Sequence, residues 1–387
     1  MLENGFRGGK QYWTLVSVWL ILIAVGLVAY SRQFSEGLHL TGLSRDVSWG
    51  LYIGQLTFLV GVAASAVMVV LPYYLHNYKA FGKMVILGEF LAIPAVLMCM
   101  LFVFVDLGQP TRVMNVLLHP SISSLMCWDM VVLSGYLLLN LVIGTVTLEA
   151  ERKEMPPPRW VRPLIYISIP WAVSIHTVTA FLYSGLEARP FWMTAILAPR
   201  FLASAFASGP ALLILLALIL RRFTRFDPGK DAIAKLTTIV TYAVLVNVFF
   251  LLVELFTGLY SDMPHHVHFF EYLFVGLHGH TGMAPWMWVC EALTLCSVVA
   301  LFTPAVRRNT ALLATVCVAV VIAIWIEKGL AMVTVAFIPS PLGKVTDYVP
   351  TAPEVAITVG VYALGFLLLT VLYRVVLNVR DRLETTP

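Results

Sequence analysis

The sequence is poor in charge. Only 12% of its 387 residues are Asp, Glu, Lys or Arg, whereas 60% are hydrophobic, and the formal net charge is +4. A soluble domain does not need so much apolar surface, so this composition excludes an ordinary soluble enzyme and predicts a polytopic helical membrane protein. The basic residues lie in short loops between apolar segments, which gives no indication of nucleic-acid binding.

The chain also lacks the residue patterns that bind redox metals. Its five cysteines are scattered and form no CxxC pair, so we expect no iron–sulfur cluster. His176 is the only histidine well inside an apolar segment, and a b-type haem needs two facing imidazoles, so no haem is expected. His265, His266 and His268 form an HHxH cluster without the spacing of a known metal site, and no metal site is predicted.

Long apolar segments are abundant. Windows of about 20 residues predict ten membrane spans. Spans two to five and six to nine begin on the same side, which predicts an all-α membrane fold of two parallel four-helix bundles with one extra helix at each end. The predicted spans are 12–31, 49–76, 83–106, 127–149, 163–184, 200–221, 235–260, 284–304, 309–337 and 354–377, and the predicted domains are 1–48, 49–199 (first bundle), 200–340 (second bundle) and 341–387.

The distribution of positive charge predicts the orientation in the cytoplasmic membrane. Of the 25 lysines and arginines, we assign 18 to the side of the N-terminus and 7 to the opposite side. The positive-inside rule therefore places both termini in the cytoplasm. The longer and chemically richer loops then lie on the outer face, where we expect the function to reside.

Several ionisable residues lie within or at the edge of predicted spans. Such groups are costly in a membrane unless they are paired or used. Asp106 ends span three and precedes Arg112, so it is either half of a helix-end salt bridge or part of a built site. Four further acids within the spans either outline a proton path or serve as ion-pair partners that hold helices together, and both interpretations stay open for Glu89, Glu254, Glu291 and Glu327.

One face of span five carries polar side chains. His176, Thr179 and Tyr183 follow the i, i+3, i+7 spacing of a single helix face and precede Arg189. This group could hydrogen-bond the carbonyls of a quinone and relay its protons, although a buried histidine is more often a satisfied core residue. Aromatic side chains nearby indicate either an apolar slot for the quinone or an interfacial belt, and they are Trp171, Phe181, Phe191 and Trp192.

Several motifs resemble the NrfD/PsrC family of quinone-interacting membrane subunits. They are Trp49-Gly-Leu-Tyr52, Gly61-Val-Ala-Ala, Asp106-Leu-Gly-x-Pro and Ala188-Arg-Pro-Phe-Trp192. The resemblance spans roughly residues 45–340 and extends to the ten-helix branch. The stretch Gly42-Leu-Ser-Arg-Asp-Val-Ser-Trp-Gly50 looks most like the DsrP members, which belong to the DsrMKJOP complex of sulfate reduction.

The resemblance implies a function and partners. Members of the family carry no redox cofactor, bind menaquinone near the outer face, and exchange electrons with a docked four-cluster ferredoxin-like iron–sulfur subunit. In the sulfate-reduction complexes, the neighbours would include a multihaem cytochrome c and a haem b membrane subunit with its iron–sulfur partner. Carried over by motif, the matching site residues are Asp106, Tyr183 and Arg189.

One departure from the family concerns span two. Polysulfide reductase-type members have an Asn and a His there, where this chain has Tyr52, Gln55 and Thr57. We therefore expect Gln55, Tyr52 or Thr57 to replace them, with Gln55 across the pocket from His176 and Tyr183. The predicted quinone-binding residues are Tyr52, Gln55, Arg112 and Arg189.

In this hypothesis Asp106 accepts a proton, and Arg112 or Arg189 is its ion-pair partner. A non-catalytic membrane anchor and a transporter-like or proton-translocating subunit are the alternatives.

Overall fold

The structure is a computed structural model that describes residues 8–261 and 263–385. Within these residues it is helical, apart from an isolated bridge between Leu277 and His280. Ten helices are long and apolar enough to cross a membrane, which confirms the predicted count. The spans, numbered one to ten, are Lys10–Glu36, Leu51–Tyr74, Lys79–Asp106, Leu125–Arg152, Val161–Ser184, Leu197–Phe223, Lys230–Tyr260, Ala284–Phe302, Thr310–Val335 and Ala352–Asp381.

The helices pack as two bundles. Span three contacts spans two and four, and span four contacts span five; in the second bundle, spans six and seven pack together, and span nine packs on spans six and eight. Span two joins the bundles by contacting spans six and nine, while span one packs on span ten. Small residues permit the close approach, as where Ser65 of span two lies against Gly209 of span six.

Two spans contain a turn that departs from regular α-helix. Span two contains a 3₁₀ turn at Ala64–Ala66, and span nine contains a π-helical turn at Glu327–Ala331. Such π turns change which side chains a helix directs to a neighbour and are frequent at functional sites. Because spans two and three are mostly buried and span one is only 11% buried, the protein core lies around spans two and three.

Residues 338–351 connect spans nine and ten on the side opposite the start of span one, which the sequence predicts to be outer and which we call outer below; we call this segment the outer strap. Its Lys344 Nζ lies 2.9 Å from Asp46 Oδ2, and this contact holds the pKa of Asp46 below its ordinary value. Asp347 of the strap accepts a hydrogen bond from the Tyr272 hydroxyl at 2.8 Å and lies 2.9 Å from His280 Nδ1. The strap is therefore tied to the first outer loop and to the outer helix Pro264–Phe274.

Candidate functional site

The outer half of the first bundle contains a buried pair of hydroxyl groups. The Tyr183 hydroxyl lies 2.5 Å from the Thr57 hydroxyl, and neither side chain reaches solvent. Thr57 Oγ1 also donates to the carbonyl oxygen of Ile53 at 2.8 Å. Because that bond uses the Thr57 proton, the Tyr183 hydroxyl donates to Thr57. The pair joins spans two and five at the level where the sequence predicted quinone contacts.

His176 is fully buried and lies about two helical turns before Tyr183 along span five. Its Nδ1 lies 3.0 Å from the carbonyl oxygen of Ala172, so Nδ1 carries the proton and Nε2 is an acceptor. Among the described groups, Nε2 has no hydrogen-bond partner. On the same span, Thr179 donates to Asp129 Oδ1 of span four at 2.6 Å. A buried acceptor without a donor is costly, which makes Nε2 a candidate contact for a bound ligand.

An aromatic cluster adjoins Tyr183. The Tyr183 ring lies 4.9 Å from Trp192 and 5.9 Å from Phe201, and Trp192 lies 5.7 Å from Trp49 and 5.6 Å from Phe337. Of the four aromatic residues expected to form a slot, Trp192 belongs to this cluster. The other three do not: Trp171 donates to the Val132 carbonyl at 2.8 Å, Phe191 packs on Phe269, and Phe181 is 49% exposed.

Asp106 does not form the expected ion pair. Its Oδ1 is buried and has no hydrogen-bond partner, and neither Arg112 nor Arg189 lies within ion-pair distance. Arg112 is exposed on a 3₁₀ turn beyond the helix end, and the Arg189 guanidinium lies 4.1 Å from the Phe337 ring centroid, where partial burial lowers its pKa. Asp106 is therefore a buried carboxylate without an ion pair among the described residues.

Tyr52 and Gln55 hold helices together. The Tyr52 hydroxyl donates to Gln33 Oε1 of span one at 2.7 Å. Gln55 Nε2 donates to the Gly329 carbonyl at 3.3 Å, and its Oε1 accepts from Trp325 Nε1 at 2.6 Å and from the Tyr362 hydroxyl at 2.8 Å. Gln55, which we expected to contact the quinone, therefore uses its amide group for hydrogen bonds to spans nine and ten.

Two of the four predicted path acids belong to one buried ion-pair cluster. Arg200 donates to Glu327 Oε1 through Nη2 at 2.6 Å and Nε at 3.1 Å, and through Nη1 to Glu254. Asn247 Nδ2 donates to Glu327 Oε2 at 2.9 Å. Because both acids are engaged by a cation, the structure favours the helix-linking interpretation for Glu254 and Glu327 over the proton path.

The remaining two acids lie apart from that cation. Glu89 is 2% exposed near the inner end of span three, with the Thr147 hydroxyl 3.5 Å away. Glu291 is half-buried in span eight and has no hydrogen bond to another described residue. Neither has an ion pair in the part of the chain that the structure describes.

Sequence reasoning missed two buried charges at this site. Lys328 is 3% exposed, and its Nζ lies 3.7 Å from the Phe201 ring centroid. In the sequence it follows Glu327, and two such residues near mid-membrane can serve only to neutralise nearby partners and lock helices together. Glu354 is fully buried and accepts from the Tyr348 hydroxyl and the Gly42 N–H. Its position in the first turn of span ten was the available signal for an intramembrane carboxylate.

Comparisons with known proteins show that the chain is similar to membrane subunits of oxidoreductase complexes. The family model described as "Polysulphide reductase, NrfD" matches residues 39–339. The chain is 27% identical to a putative dimethyl sulfoxide reductase membrane subunit of Halobacterium salinarum, covering 93% of this chain and 91% of that one. It is 22% identical to the "Menaquinone reductase, integral membrane subunit" of Nitratidesulfovibrio vulgaris, covering 92% and 90%.

A third relative is similar over a shorter region. The "Hdr-like menaquinol oxidoreductase integral membrane subunit" of Archaeoglobus fulgidus is 26% identical, with 63% of this chain and 60% of the relative covered. The three relatives share the description of membrane subunit while differing in the reductase to which they belong.

Proposed function

The chain belongs to the NrfD family of polysulphide reductase-type membrane subunits, and we propose from this premise that it binds menaquinol or menaquinone near the outer face of the membrane. In this proposal it exchanges electrons with an iron–sulfur subunit docked on that face. The chain supplies the binding pocket and the proton acceptors, and the partner supplies the redox centres. Two relatives whose names include menaquinone or menaquinol support the choice of quinone.

The observation that carries the proposal is the unpartnered Nε2 of His176 in the fully buried outer half of the first bundle. A quinone site needs hydrogen-bonding groups for the ring oxygens, an apolar wall and a proton acceptor. His176 Nε2 would accept from a quinol hydroxyl, and Tyr183 is placed to contact the ring beside it. Trp49 and Trp192 would supply the apolar wall.

Asp106 is the proposed proton acceptor toward the outer side. It ends span three, and its Oδ1 lacks a protein partner, so a proton released by quinol could bind there without breaking an ion pair. Arg112 and Arg189 follow on the outer loops and would face the docked iron–sulfur protein or the lipid headgroups. Tyr52 and Gln55 would shape the pocket through the helices that they hold together.

The proposed complex is one of dissimilatory sulfate reduction, with a multihaem cytochrome c and a haem b membrane protein among the partners. Support comes from the likeness of residues 42–50 to the DsrP members. Purification of the native complex in mild detergent, followed by mass spectrometry of its components, tests this part. Recovery of the catalytic component of another reductase would reject the sulfate-reduction branch and leave the quinone role standing.

The quinone role is tested by Asp106→Asn. We expect menaquinol-dependent reduction of the partner's centres to fall at least tenfold while the complex still assembles. The matched control is Asp227→Asn, a change of an exposed carboxylate on the inner side. Unchanged turnover in Asp106→Asn would reject the proton role of Asp106, and a native complex without extractable menaquinone would favour a non-catalytic anchor.

Proton translocation is a second candidate, favoured by Glu89. This carboxylate is 2% exposed near the inner end of span three and has no cationic partner among the described residues. In proteoliposomes, the wild type would take up protons from the inner side during quinone reduction, whereas Glu89→Gln would not. Equal uptake by both proteins would remove Glu89 from any such path.

A further inference from the structure

Lys328 is a buried cation that has no ion-pair partner among the described residues. Its side chain is 3% exposed, and no described carboxylate lies within ion-pair distance of its Nζ. Glu327, the neighbouring residue, is instead engaged by Arg200 and Asn247. A lysine inside a membrane protein is costly unless it meets a compensating group, and such residues mark functional sites. The cation–aromatic contact with Phe201 offsets only part of that cost.

Lys328 lies at the same depth as the candidate quinone site. Span nine ends at Val335 and span five ends at Ser184. At a rise of about 1.5 Å per residue, Lys328 and His176 both lie about 10–12 Å below the outer ends of their helices. Thr57 lies about 9 Å along span two from Leu51, the residue at which this span starts on the outer side. Lys328 and His176 therefore lie at similar distances from the ends of their helices, and span two, which carries Thr57, contacts both helices.

The ammonium group faces that site. Phe201, whose ring lies 3.7 Å from Lys328 Nζ, is also 5.9 Å from the Tyr183 ring. Tyr183 shares one face of span five with His176, so the Lys328 ammonium lies against the aromatic side chain that packs on this face. The other charged groups that face Lys328 are Glu327 and Arg200, which bind each other. Among the described residues, His176 Nε2 has no hydrogen-bond donor and Lys328 Nζ has no ion-pair partner.

We propose that Lys328 and His176 together bind one ring oxygen of the quinone headgroup. Lys328 Nζ would donate a hydrogen bond to that oxygen in the quinone or the quinol, and His176 Nε2 would accept from the same oxygen when it is a hydroxyl. This inference rests on the proposed function and adds a contact from the second bundle. The ligand class is a 1,4-naphthoquinone, whose carbonyl oxygen supplies the acceptor that the buried ammonium lacks.

Binding of a quinone analogue to the intact complex tests the proposal. The probe is a fluorescent hydroxyquinoline N-oxide, titrated against the wild type and Lys328→Met, which keeps the length of the side chain and removes the charge. Loss of a charge-assisted hydrogen bond predicts binding weaker by roughly tenfold or more. The matched control is Lys344→Met, a change of an exposed lysine of the outer strap that should leave the affinity unchanged.

The outcomes separate the two proposals. A wild type that does not bind the probe overturns the proposed function and this inference with it. A wild type that binds, together with a Lys328→Met variant within twofold of its affinity, overturns the role of Lys328 alone. Because arginine restores a cationic donor at this position, Lys328→Arg should bind the probe more tightly than Lys328→Met.

A measurement on the wild type keeps the inference testable if Lys328→Met fails to assemble. Infrared difference spectra of bound menaquinone, with each carbonyl labelled in turn with ¹³C, report the hydrogen bonding of each ring oxygen. We expect one carbonyl stretch to move to lower frequency because it accepts from an ammonium group. Two carbonyl stretches at the same frequency would overturn the asymmetric contact.

Discussion

Gly54 of span two packs directly against the carbonyl of Gly329 in the π-helical turn of span nine. A methyl group on Gly54 would lie 2.0 Å from that carbonyl oxygen. The same turn accepts the hydrogen bond from Gln55 and carries Lys328. The contact therefore sets the distance between the two bundles at the level of the candidate site.

Gly54→Ala should destabilise the protein because the new methyl group meets backbone that cannot move away. Overpacking of this kind costs about 1–3 kcal/mol, or more when the obstacle is main chain. The midpoint of thermal unfolding in detergent should fall accordingly. Gly61→Ala is the control on the same span, since its methyl group would meet Ala205 at an ordinary 3.5 Å. If both variants unfold at the wild-type temperature, the bundles are not in the tight contact described.

The hydroxyl of Tyr183 should matter more for quinol oxidation than for stability. Tyr183→Phe keeps the ring packing against Trp192 and leaves Thr57 bonded to the Ile53 carbonyl. Loss of one buried hydrogen bond costs about 0.5–1.5 kcal/mol. We expect turnover with menaquinol to fall at least tenfold. The midpoint of thermal unfolding, measured on the same samples, should change little.

Thr57→Val provides the comparison for that variant. It removes the acceptor of the Tyr183 hydroxyl, so the double variant should lose little more turnover than either single one. Additive losses would show that the two hydroxyl groups act independently.

Arg200 should be essential for assembly. Arg200→Met leaves Glu327 and Glu254 without their shared cation, and breaking a buried ion pair costs about 3–5 kcal/mol. We expect little folded protein in the membrane fraction, measured by detergent extraction and size-exclusion chromatography. Arg222→Met, at the exposed inner end of the same span, should give wild-type yields. Normal yields of Arg200→Met would contradict the cluster as a structural element.

Glu354→Gln should loosen the outer strap. Burial raises the pKa of Tyr348, so its hydroxyl keeps its proton and donates to Glu354. Three donors reach the two oxygens of the Glu354 carboxylate, and a glutamine amide has only one oxygen to accept them. The donors left without an acceptor should lower the free energy of unfolding by about 1–3 kcal/mol. Hydrogen–deuterium exchange of residues 338–351 should become faster, whereas Glu187→Gln, an exposed carboxylate of another outer loop, should leave it unchanged.

The sequence determined the class of protein and most of the architecture. Twenty-residue apolar windows predicted the ten spans because the thickness of a bilayer imposes their length. The two-bundle arrangement followed from parallel topology, and the motifs around Trp49, Asp106 and Trp192 indicated the family. Helical spacing alone also predicted that His176 and Tyr183 share one face of span five.

Only the tertiary structure decided which charges meet. Arg200, Glu254 and Glu327 lie on three different spans, and no periodicity within one helix indicates that a single guanidinium binds both carboxylates. For the same reason Lys328 lies against Phe201 and is not paired with Glu327. Side-chain partners across helices depend on the rotation and depth of each span, which local sequence does not encode. For Lys328, the π-helical turn of span nine sets both the rotation and the depth.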